Sequence, residues 1–273
     1  MWDAGQYLRF GGERARPFFD LVAQVGAARP RYVADLGCGP GNLTAALAQR
    51  WPDATVTGVD NSQEMIAAAR ATTANGARGP APGGGTAARN LSFALGDVWD
   101  WRPERPVDVL VCNAVLQWVP GHDELLLRWT DLLAPGGWLA FQLPGNFDQP
   151  SHTIVREMAA SPRWHGLLSG ARLNRQAGDP GDYVALLARP GFEVDAWETS
   201  YLHILHGENP VLEWTKGTTL RPVLAALDAE QGAAFVGEYG ERLTGAYRPH
   251  PFGTVFPFRR VFTVVHRADL SRG

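Results

Sequence analysis

Short apolar runs and longer amphipathic runs alternate through the first half of the chain. The short runs predict β-strands, and the longer runs predict helices with their apolar positions on one face, as with Leu43, Ala46 and Leu47. Ser62 fits the N-cap of one of these helices. The predicted strands are residues 31–36, 54–60, 91–97, 107–113 and 136–143, and the predicted helices are residues 42–50, 62–70 and 122–133. This alternation is typical of an α/β, doubly wound fold with a mostly parallel sheet.

The pattern changes beyond residue 144, where short helical pieces broken by Pro and Gly extend to about residue 190. We predict that two later strands extend the sheet antiparallel at its edge to seven strands, and that the intervening helices form a lid. These strands are residues 192–205 and 254–267, and the longer helices are residues 209–216 and 222–245.

Three regions follow from this division of the chain. Residues 1–30 form an N-terminal helical segment that closes over the site, residues 31–143 form the core, and residues 144–273 supply the lid and the last two strands. Residues 74–90 are too rich in Gly, Pro and Ala to pack, so we predict a flexible surface loop without chemistry.

Composition narrows the class of protein. Of 273 residues, 45% are hydrophobic and 19% are charged, which favours a buried core over disorder. A net charge of −3 gives no basis for a nucleic-acid partner. Cys38 and Cys112 are the only cysteines, which disfavours disulfides and indicates neither a metal site nor an oxidising compartment. With no signal-peptide pattern or membrane span in the sequence, we predict a cytoplasmic monomer or weak homo-oligomer with a small-molecule partner.

A glycine-rich loop follows the first predicted strand. Gly37, Gly39 and Gly41 let the backbone approach a ligand closely, and the helix that follows offers free N–H donors. The G-C-G-P-G spacing differs from the G-x-G-x-x-G of dinucleotide sites, because Pro40 lies inside the loop. Asp35 precedes the loop and could receive an ammonium group directly or through water. The loop therefore favours a ligand with a cationic amino acid moiety over a pyrophosphate.

Three further strand ends carry polar or aromatic residues. Asp60 could accept both hydroxyls of a ribose, which fits NAD and an adenosyl sulfonium equally. Asp97 could accept from an adenine amine while Val98 and Trp99 pack near the ring. Residues 112–119 would face the reactive end of a ligand laid across the sheet.

At these four segments the chain resembles the class I S-adenosylmethionine-dependent methyltransferases, over residues 31–143. The resemblance implies a Rossmann-like fold, S-adenosyl-L-methionine as cofactor and S-adenosyl-L-homocysteine as product. The cofactor contacts that it implies are Asp35, Gly37, Cys38, Gly39, Gly41, Asn42, Asp60, Asn61, Met65, Gly96, Asp97, Val98, Trp99, Asn113 and Trp118.

A narrower resemblance covers nearly the whole chain and points to the trans-aconitate 2-methyltransferases. That family transfers a methyl group to one carboxylate of a small polycarboxylic acid and gives a monomethyl ester, although the exact acid stays open here. The stretches that carry the resemblance are YLRFGGERARPFFDLVAQV, YVADLGCGPGNLT, GVDNSQEMIAAAR, NAVLQWVP, QLPGNFDQPSH, VDAWETSYLH, TTLRPVL and FPFRRVF.

A carboxylate acceptor is already anionic at neutral pH, so this chemistry needs alignment and desolvation and no certain catalytic base. We expect arginines to hold the remaining carboxylates. Arg259 and Arg260 point to opposite faces of a strand, so at most one reaches the site. Trp118 either lies beside the sulfonium or packs in its loop, and His122 is structural. The predicted substrate contacts are Tyr7, Phe10, Arg14, Gln117, Trp118, Tyr201, His203, Arg221 and Arg260.

Three other functions stay open at this stage. The same cofactor could serve a hydroxyl or carbon acceptor on a natural product, for which a base over the methyl would be the signature. A dinucleotide-dependent oxidoreductase is disfavoured by Pro40 and the loop spacing. A cofactor-binding module without catalysis is less consistent with the lid and its arginines.

Overall fold

The protein is described here by a computed structural model that covers residues 11–74, 90–171, 173 and 177–269. Strands and helices alternate in the first half, as the sequence predicts. The strands are β1 (Tyr32–Leu36), β2 (Thr55–Asp60), β3 (Leu91–Leu95), β4 (Val107–Asn113) and β5 (Leu133–Pro144), and the helices are α1 (Gly11–Ala23), α2 (Asn42–Arg50), α3 (Gln63–Ala74) and α4 (His122–Asp131).

The second half places six helices around three strands in the described part of the chain. The helices are α5 (Pro150–Ala160), α6 (His165–Leu168), α7 (Pro180–Leu187), α8 (Pro210–Lys216), α9 (Arg221–Ala226) and α10 (Ala229–Ala246), and the strands are β6 (Phe192–Leu205), β7 (Pro249–His250) and β8 (Gly253–Arg267).

Seven strands form one sheet in the order β3-β2-β1-β4-β5-β8-β6, and the two-residue β7 pairs with the start of β8. Strands β1 to β5 pair in parallel, whereas β8 runs antiparallel to both β5 and β6. The predicted mostly parallel α/β sheet is confirmed, and both later strands join it at one edge through antiparallel pairing. The prediction that both strands run antiparallel to the sheet is wrong for β6, which is antiparallel to β8 and therefore runs in the same direction as β1 to β5. The carboxyl ends of β1 to β5 therefore meet at one edge of the sheet, where ligands bind in this architecture.

Apolar clusters on both faces of the sheet hold the molecule together. On one sheet face Phe18 of α1 and Leu47 of α2 pack with Val56 and Phe262. On the other face α4 and α7 cover the sheet through Trp129 and its neighbours. Full burial of each such side chain stabilises the fold by about 1.5–3 kcal/mol.

Another apolar cluster lies between the lid helices and the amino-terminal part of β8. Trp214, Phe235 and Tyr239 are buried there against Phe256 and Phe258. The lid therefore has an apolar core of its own and is seated on the antiparallel extension of the sheet.

One sequence prediction of secondary structure is wrong, and another concerns residues outside the described part of the chain. Residues 222–245 form two helices, because Asp228 accepts from the backbone N–H of Gln231 (2.8 Å) and begins a new helix with a capping box. Residues 75–89, which contain most of the predicted flexible loop, lie outside the described residues. None of the described helices combines the length and apolarity needed to cross a membrane.

Candidate active site

A cavity of about 460 Å³ opens at the carboxyl ends of the parallel strands and extends to the lid. Its size is within the usual range for a cofactor or small-ligand pocket. The predicted site residues that line it are Gly37, Gly39, Asp60, Asn61, Met65, Asp97, Val98, Trp99, Asn113, Gln117, Trp118, Arg221 and Arg260. One cavity thus brings together predicted cofactor contacts and predicted substrate contacts.

The glycines of the first loop have different local roles. Gly37 and Gly39 both have positive φ, of 75° and 55°. A Cβ on Gly37 would lie 2.1 Å from Cγ2 of Val115, so this glycine is required for close packing. A Cβ on Gly39 would meet nothing within 4 Å, although Gly39 lines the cavity. The backbone at Gly39 is therefore accessible from the cavity, with no side chain between it and a ligand.

Asp60 joins the glycine loop to the start of α3. Its Oδ2 accepts the backbone N–H of Gly39 (2.9 Å), and its Oδ1 accepts the backbone N–H of Ser62 (2.8 Å). A carboxylate has about four lone-pair sites, so two backbone donors orient it and leave acceptor capacity for a ligand. This geometry suits a vicinal pair of hydroxyls.

Asp97 is held in a similar way on the neighbouring strand end. Its Oδ1 accepts the backbone N–H of Trp99 (2.9 Å), and its Oδ2 accepts from Nδ2 of Asn61 (3.2 Å). Asp60 and Asp97 give this end of the cavity two oriented carboxylates.

A strained turn follows β4. Ala114 has φ of 58°, a conformation that costs an L-residue about 1–2 kcal/mol. Its N–H donates to the carbonyl of Gln142 (2.9 Å), and its carbonyl accepts from Nε2 of Gln117 (2.7 Å). The turn directs Gln117 and Trp118 into the cavity wall.

The opposite end of the cavity carries cations. Arg260 on β8 is only 5% exposed, and its Nη1 donates to Oε1 of the buried Gln142 (3.1 Å). The Gln142 amide in turn donates from Nε2 to Oδ1 of Asn113. The Arg260 guanidinium also lies 4.7 Å from the ring centre of Phe258. Arg221, the first residue of α9, lines the same end.

Arg259 has the opposite orientation, as strand geometry predicts. It forms ion pairs with Glu198 (2.5 Å) and Asp179 (2.6 Å) and donates to the carbonyl of Gly145. Arg259 is therefore a structural ion-pair residue, and Arg260 faces the cavity.

Comparison with known proteins identifies the family. A family model described as "Methyltransferase domain" matches residues 33–137. A trans-aconitate 2-methyltransferase from Streptomyces avermitilis is 53% identical over 97% of this chain and 97% of its own length. Another from Streptomyces coelicolor is 50% identical over 99% of this chain and 88% of its own length. The chain belongs to the trans-aconitate 2-methyltransferase family.

A solved structure supports the same fold. Phosphoethanolamine N-methyltransferase 2 of Haemonchus contortus, in complex with phosphomonomethylethanolamine and S-adenosylhomocysteine, matches with a TM-score of 0.56 at 14% identity. The match covers 96% of this chain and 56% of that chain. At this identity the likeness concerns the fold, which is that of the class I methyltransferases.

Some predicted cofactor contacts of this methyltransferase stand behind the cavity wall. Asp35 is 2% exposed, and its Oδ2 accepts from Oγ1 of Thr44 (2.6 Å). Burial raises the pKa of Asp35 to about 6, the Thr44 bond opposes this rise, and the charge of Asp60 adds to it. Asp35 is not part of the described cavity wall, so its contact with an ammonium group stays a prediction. Such a contact requires a bridging water or a movement of the Asp35 side chain.

Four other predicted cofactor contacts are not part of the described cavity wall. Burial raises the pKa of the Cys38 thiol and keeps it neutral. A Cβ on Gly41 would lie 2.5 Å from the ring of Phe93, so Gly41 packs against β3. The N–H of Gly96 donates to the carbonyl of Asp60 (3.0 Å), and Asn42 is the first residue of α2. In the described part of the chain these residues shape the wall without lining it.

The predicted substrate contacts on β6 have structural partners of their own, and their contact with a substrate stays a prediction. Tyr201 and His203 share a strand face, as predicted, with stacked rings 6.3 Å apart. The Tyr201 hydroxyl donates to Oδ2 of Asp20 (2.7 Å), and His203 stacks on Trp214 (5.1 Å). Because β8 lies between β6 and β5, neither ring is part of the described cavity wall. Tyr201 therefore links β6 to α1, and His203 packs against Trp214 of the cavity wall.

Tyr7 and Phe10 lie outside the described residues, and the side chain of Arg14 is not described, so their substrate contacts stay predictions. His122 is structural, as expected: its Nε2 lies 3.1 Å from the Tyr183 hydroxyl and its Nδ1 3.3 Å from the carbonyl of Val119. In the described part of the chain, no group of His, Cys, Asp and Glu side chains is arranged to hold a metal ion.

Sequence analysis missed several residues of the site. One signal was available, because the QLPGNF stretch ends β5 at the same sheet edge as the other motifs and contains Gln142 and Asn146. The lid residues follow no comparable local pattern. The cavity wall also contains Ala114, Val115, Pro144, Trp214, Thr218 and Phe258.

Proposed function

We propose that this enzyme transfers the methyl group of S-adenosyl-L-methionine to one carboxylate of a small polycarboxylic acid, with trans-aconitate as the first candidate. The names of the relatives support this substrate. The observation that carries the proposal is the buried Arg260, with Arg221, in the same cavity as Asp60 and Asp97.

The residues at the acidic end fit the cofactor. Asp60 is oriented to accept from ribose hydroxyls, and Asp97 to accept from the adenine amine. Gly39 has no side chain, and the space that a Cβ would occupy there is open, which allows close approach of the ligand to the backbone. Trp118 lines the cavity, where an aromatic ring would attract a cationic sulfonium. When bound, S-adenosyl-L-methionine supplies an electrophilic methyl group on a sulfonium.

The residues at the basic end fit an anionic acid. Strands β2 and β8 are four strand spacings apart, which places the two ends about 19 Å from each other. Arg260, held by Gln142, and Arg221 would bind the carboxylates that do not react. The reacting carboxylate is already ionised, so no base has to remove a proton from it. Arg260 and Arg221 would position the acid, and the lid would exclude water from the reacting groups.

Two measurements test the proposal in sequence. Thermal shift with S-adenosylmethionine, S-adenosylhomocysteine and NAD should show stabilisation by the first two ligands only, because a ligand that binds the native state stabilises it by mass action. A methyl-transfer assay against di- and tricarboxylates should then yield monomethyl esters, with trans-aconitate the best substrate.

The product's regiochemistry identifies the carboxylate that reacts. If no acid is methylated but a neutral phenol or alcohol is, the acid assignment fails and the cofactor assignment survives. Stabilisation by NAD alone would overturn both. The expectation of a cytoplasmic enzyme that is a monomer or weak homo-oligomer continues to rest on the sequence.

A further inference from the structure

A side pocket of about 50 Å³ adjoins the basic end of the main cavity. Gln117, Trp118, Trp214, Thr218 and Phe258 line both spaces. This volume exceeds what a single water requires and is suited to one carboxyl group. The residues that line only the side pocket are Asn146, Phe147, His152, Thr215, Thr219 and Phe256.

Asn146 is the central polar residue of this pocket. It is 1% exposed, and neither its Nδ2 nor its Oδ1 has a hydrogen-bond partner among the described residues. The buried Oε1 of Gln117 also has none, whereas Nε2 of Gln117 donates to the carbonyl of Ala114. Buried polar atoms without partners cost stability, so such a group in a native protein requires an explanation. A polar ligand group in the pocket provides one.

The rest of the pocket is held in place by hydrogen bonds and ring contacts. Nε2 of His152 lies 3.1 Å from Oγ1 of Thr219, and its Nδ1 lies 3.2 Å from Oγ of Ser151. The ring of Phe147 packs edge-on against His152. The pocket is therefore a formed recess between the segment after β5 and the lid.

An acid with three carboxyl groups needs three places in the enzyme. One carboxylate must reach the methyl donor, and Arg260 with Arg221 can hold a second. The side pocket lies beside this arginine site, since Phe258 lines both spaces and also contacts the Arg260 guanidinium. Its wall in the described structure contains no Asp, Glu, Lys or Arg, so recognition there depends on hydrogen bonds.

We propose that the side pocket is the subsite for the third carboxyl arm of the acid, and that Asn146 is the residue that recognises it. Nδ2 of Asn146 donates to a carboxyl oxygen, while its Oδ1 and Gln117 Oε1 accept from a proton or a water that enters with the arm. This inference rests on the proposed function and extends it, because it explains how the enzyme distinguishes a tricarboxylate from a dicarboxylate. A site built to hydrogen-bond a substrate group discriminates strongly against an analogue that lacks the group.

The test uses Asn146→Leu, a substitution of similar size, and two acids: trans-aconitate and mesaconate, an unsaturated dicarboxylate with a methyl group where the third arm would be. Binding of each acid is measured on enzyme saturated with S-adenosylhomocysteine, beside KM and kcat for trans-aconitate. We expect trans-aconitate to bind at least about tenfold more weakly to the variant and mesaconate to change less than about twofold. The melting temperature of the free variant should stay equal or rise, because two unpaired polar atoms are removed.

Gln149→Leu is the matched control. Gln149 lies three residues along the same segment, is not part of the pocket wall, and makes no side-chain capping bond at the start of α5. This control should change neither acid affinity nor stability. Asn146→Asp, which adds a like charge, should weaken trans-aconitate binding at least as much as Asn146→Leu.

Two results overturn the inference. A lowered melting temperature with unchanged trans-aconitate affinity would show that Asn146 holds only an internal water. Equal weakening of trans-aconitate binding and mesaconate binding would show that the pocket does not recognise the third carboxyl arm. Both results presuppose a parent enzyme that methylates acids, so they are distinct from failure of the proposed function, in which the parent methylates none.

Discussion

The two ends of the cavity are built in different ways. At the acidic end each carboxylate accepts one bond from a backbone N–H two residues on, Asp60 from Ser62 and Asp97 from Trp99. The second bond of each comes from Gly39 or Asn61, which lie 21 and 36 positions away. At the basic end the bond between Arg260 and Gln142 joins residues 118 positions apart. The comparison teaches that short motifs supply part of the geometry at the acidic end, whereas the bond that holds Arg260 at the basic end exists only after the sheet has assembled.

The ends also differ in charge. Asp60 and Asp97 lie at one end, and Arg260 and Arg221 lie at the other. Complementary potentials favour the correct partner and repel the wrong one, so a polycarboxylate is disfavoured at the cofactor end. Under the proposed function, this charge distribution would favour the acid at the basic end and disfavour it beside Asp60 and Asp97.

The largest expected effect comes from Arg260→Met, which removes the buried cation of the acid end. We expect the KM for the acid to rise about a hundredfold or more, since charge-assisted hydrogen bonds contribute about 1.5–3 kcal/mol each. Cofactor affinity should change less than about twofold, because Asp60 and Asp97 are untouched. Steady-state kinetics and calorimetry measure the two effects separately.

The adjacent arginine is the control for this variant. Arg259→Met breaks ion pairs with Glu198 and Asp179 on the opposite face and should leave the KM for the acid unchanged. Arg260→Lys should rescue only part of the loss, because lysine keeps the charge but lacks the planar fork. Equal effects of the Met variants at both positions would contradict the division of faces.

A second variant pair separates packing from ligand space at the acidic end. Gly37→Ala should lower the free energy of unfolding by about 2–5 kcal/mol, because it adds overpacking against Val115 to left-handed strain. Gly39→Ala should cost only about 1–2 kcal/mol, because its Cβ meets open space. Gly39→Ala should nevertheless weaken cofactor binding. Denaturant unfolding and calorimetry check both variants, and equal stability losses would show that the loop is packed differently.

Asp60→Ala tests whether the acidic end of the cavity binds the cofactor. Loss of a charged acceptor should weaken S-adenosylhomocysteine binding at least about tenfold, since hydrogen bonds to charged groups contribute about 1.5–3 kcal/mol. The exposed Asp148 is the control, and Asp148→Ala should have no effect on binding. Unchanged cofactor affinity in Asp60→Ala would count against the whole placement of the cofactor.

The smallest expected effect concerns Asp35 and pH. Its pKa is raised to about 6 from 3.8, so between these two pH values the folded enzyme binds a proton that the unfolded chain does not. The free energy of unfolding of the ligand-free enzyme should therefore fall as pH rises through 6, by about 1 kcal/mol between pH 5.5 and pH 7 from this group. Asp35→Asn should flatten this part of the profile. An identical slope in both proteins would show that Asp35 ionises normally.

Much of the secondary structure could be predicted because its signals are local. The bounds of α2, β4 and β6 agree with residues 42–50, 107–113 and 192–205, since strand and helix periodicity is visible over a few residues. The prediction of one helix over residues 222–245 also fails for a local reason. Asp228 and Gln231 form a capping box, which begins a new helix inside the predicted one. Local signals were sufficient wherever both partners of a contact lie close in sequence.

The sequence by itself determined the sheet-forming segments, the glycine loop, the acidic strand ends and the opposite orientation of Arg259 and Arg260, because backbone periodicity and strand alternation are local properties. Only the tertiary structure decided that Gln142 links Arg260 to Asn113, that Tyr201 bonds Asp20 while His203 stacks on Trp214, and that Asn146 is buried in a side pocket. These features depend on which strands become neighbours and on where the lid is seated. Contacts between segments far apart in sequence are fixed by packing of the whole chain, and no local pattern encodes them.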